Sequence, residues 1–191
     1  MKPMDNALAC VILAGGKSSR MERDKTLLPF QGYPTLCEYQ YRRMQKIFSH
    51  VYISTKDSRK FDFDADFILD GAEAFAPTYA LKRILESVKE PYLFVMAVDM
   101  PFLSEETVNT LIEAFDPAYD AVIAREGRIV HTLCGIYNKS ILPRFEEAVK
   151  ADKHKLQLLL QEAHTRYVTI DDPRSFVNLN YPHEYEEALT L

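Results

Sequence analysis

The chain has 191 residues, 47% of them hydrophobic and 27% charged, with a net charge of −5 and a pI of about 5.6. That acidic balance argues against a broad electrostatic face for nucleic acid or an anionic membrane surface. No apolar run approaches the ~20 residues of a membrane span, and three scattered cysteines (Cys10, Cys37 and Cys134) form no Cys-x-x-Cys pair, so a disulfide framework or zinc site is not expected. The expected compartment is the reducing cytoplasm.

The first predicted element is a buried strand over Ala7–Ala14, continuous in apolar residues rather than alternating. It breaks at Gly15-Gly16 into Lys17-Ser18-Ser19-Arg20-Met21-Glu22-Arg23-Asp24-Lys25. Paired glycines permit backbone conformations closed to other residues, so several N–H groups can face one anion. The cations nearby complete the chemistry of a polyphosphate site. A helix is predicted from Tyr33-Pro34 to Phe48, with Pro34 in its first turn and Gln40 and Arg43 at the polar edge of its apolar face. Strands follow at His50–Ser54 and Asp66–Leu69, the second ending at Asp70-Gly71, a turn pair. Thr78–Lys89 carries helical apolar spacing. Tyr92–Val98 is the most apolar strand and is expected to be central; it ends at Asp99-Met100-Pro101. Ser104 is expected to cap a helix running to Phe115. Strands at Asp120–Ala124 and Thr132–Tyr137 flank a charged turn at 125–128. Helices are predicted at Ser140–Ala151 and Lys155–Glu162, a late strand at Arg166–Ile170 and a final helix from Pro182.

Alternating strands and helices predict an α/β fold: a single three-layer α/β/α domain over residues 1–191, with a Rossmann-like, mostly parallel sheet and one or more antiparallel strands. In such sheets ligands bind beyond the carboxyl ends of the strands. The Gly15-Gly16 loop and Asp99 both lie at such ends and are expected to share one site. A carboxylate after the most buried strand suits magnesium, which joins one or two carboxylates to substrate phosphates; it also suits a simple turn cap before a proline.

The string Leu-Ala-Gly-Gly-Lys-x-x-Arg-Met-x-x-Asp-Lys at 13–25 resembles the signature loop of nucleotidyltransferases and is not a Walker A motif. Within that superfamily the chain most resembles the molybdenum cofactor guanylyltransferases. Asp99-Met100-Pro101-Phe102 resembles their metal motif, and Phe176-x-Asn178-x-Asn180-Tyr181-Pro182 their C-terminal motif. The resemblance implies transfer of GMP from GTP to the terminal phosphate of molybdopterin with magnesium as cofactor. It implies a nucleotide-binding part over about 7–124 and an acceptor part over about 125–191. Leu13, Ala14, Gly15, Gly16, Lys25, Ser54, Asp70 and Asp99 are implied for nucleotide binding. Arg20, Lys25 and Asp99 are implied for catalysis, and Asp99 for the metal. His131, Asn178 and Asn180 are implied for the acceptor. Partner proteins of cofactor biosynthesis and molybdoenzyme chaperones are implied too, with no nucleic acid or membrane partner.

Local readings stand beside these. Lys25 can pair with Asp24, Lys17 and Arg23 can be solvated, Asp70 can simply open an Asp-Gly turn, His131 can be structural, and the two asparagines can form a turn. The chain also departs from the family pattern. Ser54 stands where an asparagine reads the base. Ala76-Pro77-Thr78-Tyr79-Ala80 stands for Gly-Pro-Leu-x-Gly, and alanine resists the positive φ that glycine allows. A cytidylyltransferase or sugar-phosphate nucleotidyltransferase, or a non-catalytic nucleotide or cofactor binder, are the alternatives these departures motivate.

Overall fold

The computed structural model describes residues 7–16, 21, 23–71 and 76–190. Its centre is a seven-stranded sheet. The strands are β1 (Leu8–Leu13), β2 (Val51–Thr55), β3 (Asp66–Leu69), β4 (Tyr92–Ala97), β5 (Ala121–Glu126), β6 (Ile129–Asn138) and β7 (Thr165–Thr169). The helices are α1 (Leu36–Met44), α2 (Pro77–Ser87), α3 (Glu105–Glu113), α4 (Leu142–Lys150), α5 (Leu156–Glu162) and α6 (Pro182–Ala188). Strand order is β3-β2-β1-β4-β6-β5-β7, which puts β4 in the middle, as its apolar sequence predicts. The ladder β3-β2-β1-β4 is parallel. Strand β6 runs antiparallel to both β4 and β5, and β7 is parallel to β5.

Alternation along β1 divides the core in two, because successive side chains leave opposite faces of a strand. Cys10 and Ile12 join Leu36, Met44, Val108, Leu111 and Ala188, from α1, α3 and α6. Ala9 and Val11 join Leu81, Ile84, Leu85, Phe145 and Leu160, from α2, α4 and α5. These are the two helical layers of the expected α/β/α sandwich. A fully buried leucine such as Leu81 contributes about 1.5–3 kcal/mol relative to an exposed one. All three cysteines are buried and unpaired. Burial pushes the thiols of Cys37 and Cys134 up to about 12, so they behave as small hydrophobic groups.

Boundaries move where local chemistry overrides periodicity. Helix α1 starts at Leu36, not at Tyr33-Pro34: Thr35 is extended and its side chain accepts from Glu38 N at 3.0 Å, making Thr35 the N-cap. The segment 125–128, expected as a turn, instead extends strand β5 to Glu126, and the turn narrows to Gly127 and Arg128, with Gly127 at φ +54°. At the last helix, Glu184 Oε2 accepts from the backbone N–H of Asn180 (2.6 Å) and Tyr181 (2.9 Å). That carboxylate holds the helix start without a threonine cap.

Candidate active site

Strand register alone brings the distant motifs together. Leu13 of β1 is level with Ser54 of β2 and Ala97 of β4, and Thr55 is level with Leu69 of β3. The residues that follow, Gly15-Gly16, Lys56, Asp70 and Asp99, therefore emerge at one edge. Strand β6 runs the other way and presents Leu133 there. These residues, with Leu13, Lys25, Thr26, Ala76, Pro77 and Ala80, line one cleft at the carboxyl ends of the parallel strands.

Lys25 reaches across this cleft. Its Nζ is hydrogen-bonded to Asp99 Oδ2 and lies 3.5 Å from the carbonyl of Leu179. Three separate parts of the chain meet at that ammonium group. The local alternative, a Lys25–Asp24 pair, does not form. Asp24 is taken by Lys60 at 2.7 Å and caps the short turn carrying Lys25, accepting from Thr26 N (3.0 Å) and Thr26 Oγ1 (2.7 Å). Burial pushes the Asp24 carboxyl up, but its bonds to Lys60 and Thr26 outweigh this and hold it below its ordinary value. Asp24 thus aims Lys25 from behind.

Neither Gly15 nor Gly16 has a left-handed φ; among the described glycines that conformation belongs to Gly32, Gly71 and Gly127. The need for glycine at Gly15 is contact instead. A Cβ there would sit 2.3 Å from Asp70 Oδ2, whereas one at Gly16 would meet no described residue within 4 Å. Gly15→Ala is therefore expected to displace Asp70 and weaken nucleoside triphosphate binding at least ~10-fold, while Gly16→Ala stays within about threefold by calorimetry. Equal effects would show that Asp70 and Gly15 do not share a function.

Asp70 Oδ1 and Ser54 Oγ are both buried without a partner among the described residues. The serine hydroxyl lies near enough to favour the carboxylate slightly, but forms no well-made hydrogen bond with it. Burial raises the Asp70 carboxyl above its usual range, outweighing the lowering by Lys56, Lys60 and the serine. Ser54 is wholly buried and sits behind the cleft lining. Its backbone does more, since its carbonyl accepts from Ala14 N at 2.8 Å. Ala14 itself is buried beneath the glycines.

The replaced glycines at 76 and 80 cause no conflict. Ala76 is extended at φ −82° and ψ 138°, and Ala80 lies inside α2. The expected resistance of alanine to positive φ is not called upon here, because the left-handed residue is Gly71 at φ +73°. Thr78, wholly buried, bonds His154 Nδ1 at 2.8 Å, and His154 Nε2 bonds Asp152 Oδ1 at 2.8 Å. A polar tether between the α4–α5 loop and the start of α2 thus stands where the family pattern has a leucine.

The acceptor-side residues divide. Leu179, wholly buried, donates its N–H to the Asp99 carbonyl at 2.9 Å. Asn178 and Asn180 flank Leu179 in the chain, and neither lines the cleft. His131 does not line the cleft. Its ring stacks on Phe176 (centroids 3.9 Å apart, 7° between planes), and Nε2 lies 3.3 Å from Glu126 Oε2. Burial lowers its pKa, only partly opposed by Glu126. In this arrangement it packs the β5–β6 hairpin onto the C-terminal segment. Arg20, Lys17, Ser18 and Ser19 lie outside the described residues. Lys56, Thr26 and Leu133 were not singled out from sequence; Lys56 follows a strand's carboxyl end, the signal that exposes Asp99.

Residues 10–167 match the family model described as MobA-like NTP transferase domain. The chain belongs to the MobA-like NTP transferase family. A molybdenum cofactor guanylyltransferase of Campylobacter jejuni is 35% identical over 184 residues, covering 95% of each chain. One of Helicobacter pylori is 32% identical over 197 residues, covering 99% of this chain and 91% of its own. The crystal structure of molybdopterin-guanine dinucleotide biosynthesis protein A from Archaeoglobus fulgidus superposes with a TM-score of 0.81 at 22% identity, covering 95% of this chain and 97% of that one. That last likeness is one of fold. The MobA-like sheet, with its single reversed strand, is what sets Gly15, Lys25 and Asp99 around one cleft. No helix among the described residues is long and apolar enough to cross a membrane.

Proposed function

We propose that the chain transfers GMP from GTP to the terminal phosphate of molybdopterin, releasing pyrophosphate. The observation that carries this reading is the Lys25–Asp99 pair, which joins residues 74 apart in sequence at the mouth of a glycine-walled cleft. The backbone of Gly15 and Gly16 and the Lys25 ammonium bind the triphosphate, with Arg20 adding a guanidinium suited to phosphate oxygens. Leu13 and Ala14 shape the loop's base, Asp70 contacts the nucleoside, and Ser54 holds the loop through its carbonyl. Asn178 and Asn180 face the acceptor; His131 supports that side through Phe176.

The donor set suits magnesium. No group of three or more acidic, histidine or cysteine side chains gathers among the described residues, and magnesium needs only one or two carboxylates when phosphates supply the other oxygens. Asp99 would hold it in exchange for its bond to Lys25, whose ammonium would turn toward phosphate. Bound there, the ion supplies neutralisation of charge on the pyrophosphate leaving group.

An acceptor phosphate oxygen attacks the α-phosphorus in line. The new P–O bond forms as the bond to the β-phosphate bridging oxygen breaks, and that oxygen leaves with the electron pair. The acceptor is already anionic at neutral pH, so no general base is needed, and positioning with charge neutralisation carries the rate. The partners proposed with this reaction are other cofactor-biosynthesis proteins and molybdoenzyme chaperones.

Calorimetric titration with each nucleoside triphosphate in magnesium tests the reading. GTP is expected to bind at least ~10-fold more tightly than CTP, a difference of about 1.4 kcal/mol. The buried Ser54 hydroxyl, which offers the base no two-point amide contact, motivates the cytidylyl alternative. A preference for CTP would move the assignment there. Pyrophosphate release with molybdopterin separates an enzyme from a non-catalytic binder.

A further inference from the structure

Asp99 sits in a turn whose carbonyls are gripped from one side by α1. Gln40 is wholly buried, and its Nε2 donates to Val98 O (3.1 Å) and Met100 O (2.9 Å), the carbonyls on either side of Asp99. Its Oε1 accepts from Arg43 Nη1 at 2.8 Å. Arg43 goes on to Pro101 O at 2.8 Å and to Leu103 O, with its guanidinium 5.2 Å from the Tyr39 ring centroid. The carbonyl of Asp99 itself is taken from another direction by Leu179 N. Backbone oxygens before and after Asp99 are thus pinned by two side chains one helical turn apart, while its carboxylate projects into the cleft.

Both N–H donors of the glutamine amide are spent on this turn, and buried carbonyls need such partners. A helix that only packed against the turn would need apolar side chains here, as α1 uses elsewhere on that face. We infer that Gln40 and Arg43 are positioning residues that set the Asp99 carboxylate at the angle required to give up Lys25 to phosphate and take up magnesium. This rests on the nucleotidyl-transfer reading of the cleft. Neither residue lines the cleft itself; each acts through the backbone of the turn that carries Asp99. Small misplacement of a catalytic group has large kinetic cost.

The test uses Gln40→Met, which keeps length without donors, together with Arg43→Lys, Arg43→Ala and Asp99→Asn in the full chain. GTP binding is measured by calorimetry across a magnesium series, alongside pyrophosphate release and thermal midpoint. Gln40→Met is expected to bind GTP without magnesium within about threefold of wild type. The magnesium concentration for half-maximal enhancement of GTP binding should rise at least ~10-fold, and kcat should fall by at least ~10-fold with KM for GTP little changed. Arg43→Lys should recover part of what Arg43→Ala loses, since an ammonium reaches one carbonyl but not the forked set. If Gln40→Met does not fold, the two Arg43 variants carry the same readouts. Wild-type magnesium dependence in the folded Gln40 and Arg43 variants, with Asp99→Asn impaired, overturns the positioning role alone. Wild-type magnesium dependence in Asp99→Asn overturns the functional reading, and the positioning role with it.

Discussion

Asp99→Ala is expected to lower magnesium-dependent pyrophosphate release by at least ~10³-fold, because interactions with charge developing in the transition state are the largest contributions to this class of reaction. The fold should survive. The Lys25–Asp99 pair is mostly buried, with 13% and 16% of the side-chain surfaces exposed, and removing one partner is expected to cost about 3 kcal/mol. That corresponds to a fall of about 6–12 °C in thermal midpoint for a chain of this size. The turn around Asp99 keeps its bonds from Gln40, Arg43 and Leu179, all of which go to backbone. Turnover near wild type in the folded variant would remove Asp99 from the reaction. A collapse in stability would show that the pair is structural.

Gly135→Ala is expected to be the most destabilising single-methyl change in the sheet. Gly135 lies on β6 opposite Val95 of β4 and Ile123 of β5. A Cβ there would stand 2.3 Å from the Val122 carbonyl oxygen and 2.9 Å from the Ile123 Cα. Those are backbone atoms of a neighbouring strand and cannot rotate away. The β5–β6 register shifts between Ile123 and Arg125, next to this contact, and glycine within a strand commonly marks such a close approach. The expected loss is about 3 kcal/mol by chemical denaturation, or about 6–12 °C in thermal midpoint. Gly16→Ala, whose Cβ would meet no described residue within 4 Å, is the matched control. A loss below ~1 kcal/mol at Gly135 would mean that β5 and β6 separate readily there. Since β6 carries Leu133 into the cleft, any such loosening should also weaken nucleotide binding.

The legible parts of this protein are those written in local chemistry. The continuous apolar runs of β1 and β4 announce burial on both faces, and both strands are central. Ser104 announces a helix start and accepts from Thr107 N as its cap. Asp99 and Gly15-Gly16 stand out because each interrupts an apolar strand at its carboxyl end. The start of α1 is not legible locally, because proline at a first turn and threonine as a cap offer competing starts, and the Thr35–Glu38 bond decides between them.

The sequence by itself determined the layer architecture and the buried strands and marked Gly15-Gly16 and Asp99 as candidates, because periodicity and residue type act within a few positions along the chain. The tertiary structure alone decided the pairings. Whether Lys25 meets Asp24 or Asp99 depends on Lys60, 36 residues from Asp24, occupying that carboxylate. Whether Gln40 is an edge residue or a clamp depends on a turn 58 and 60 residues away. The glycine requirement at Gly15 comes from Asp70, brought alongside by the register of β2 and β3. Each is a contact between segments whose separation along the chain carries no local signal, and sheet register is what fixes them.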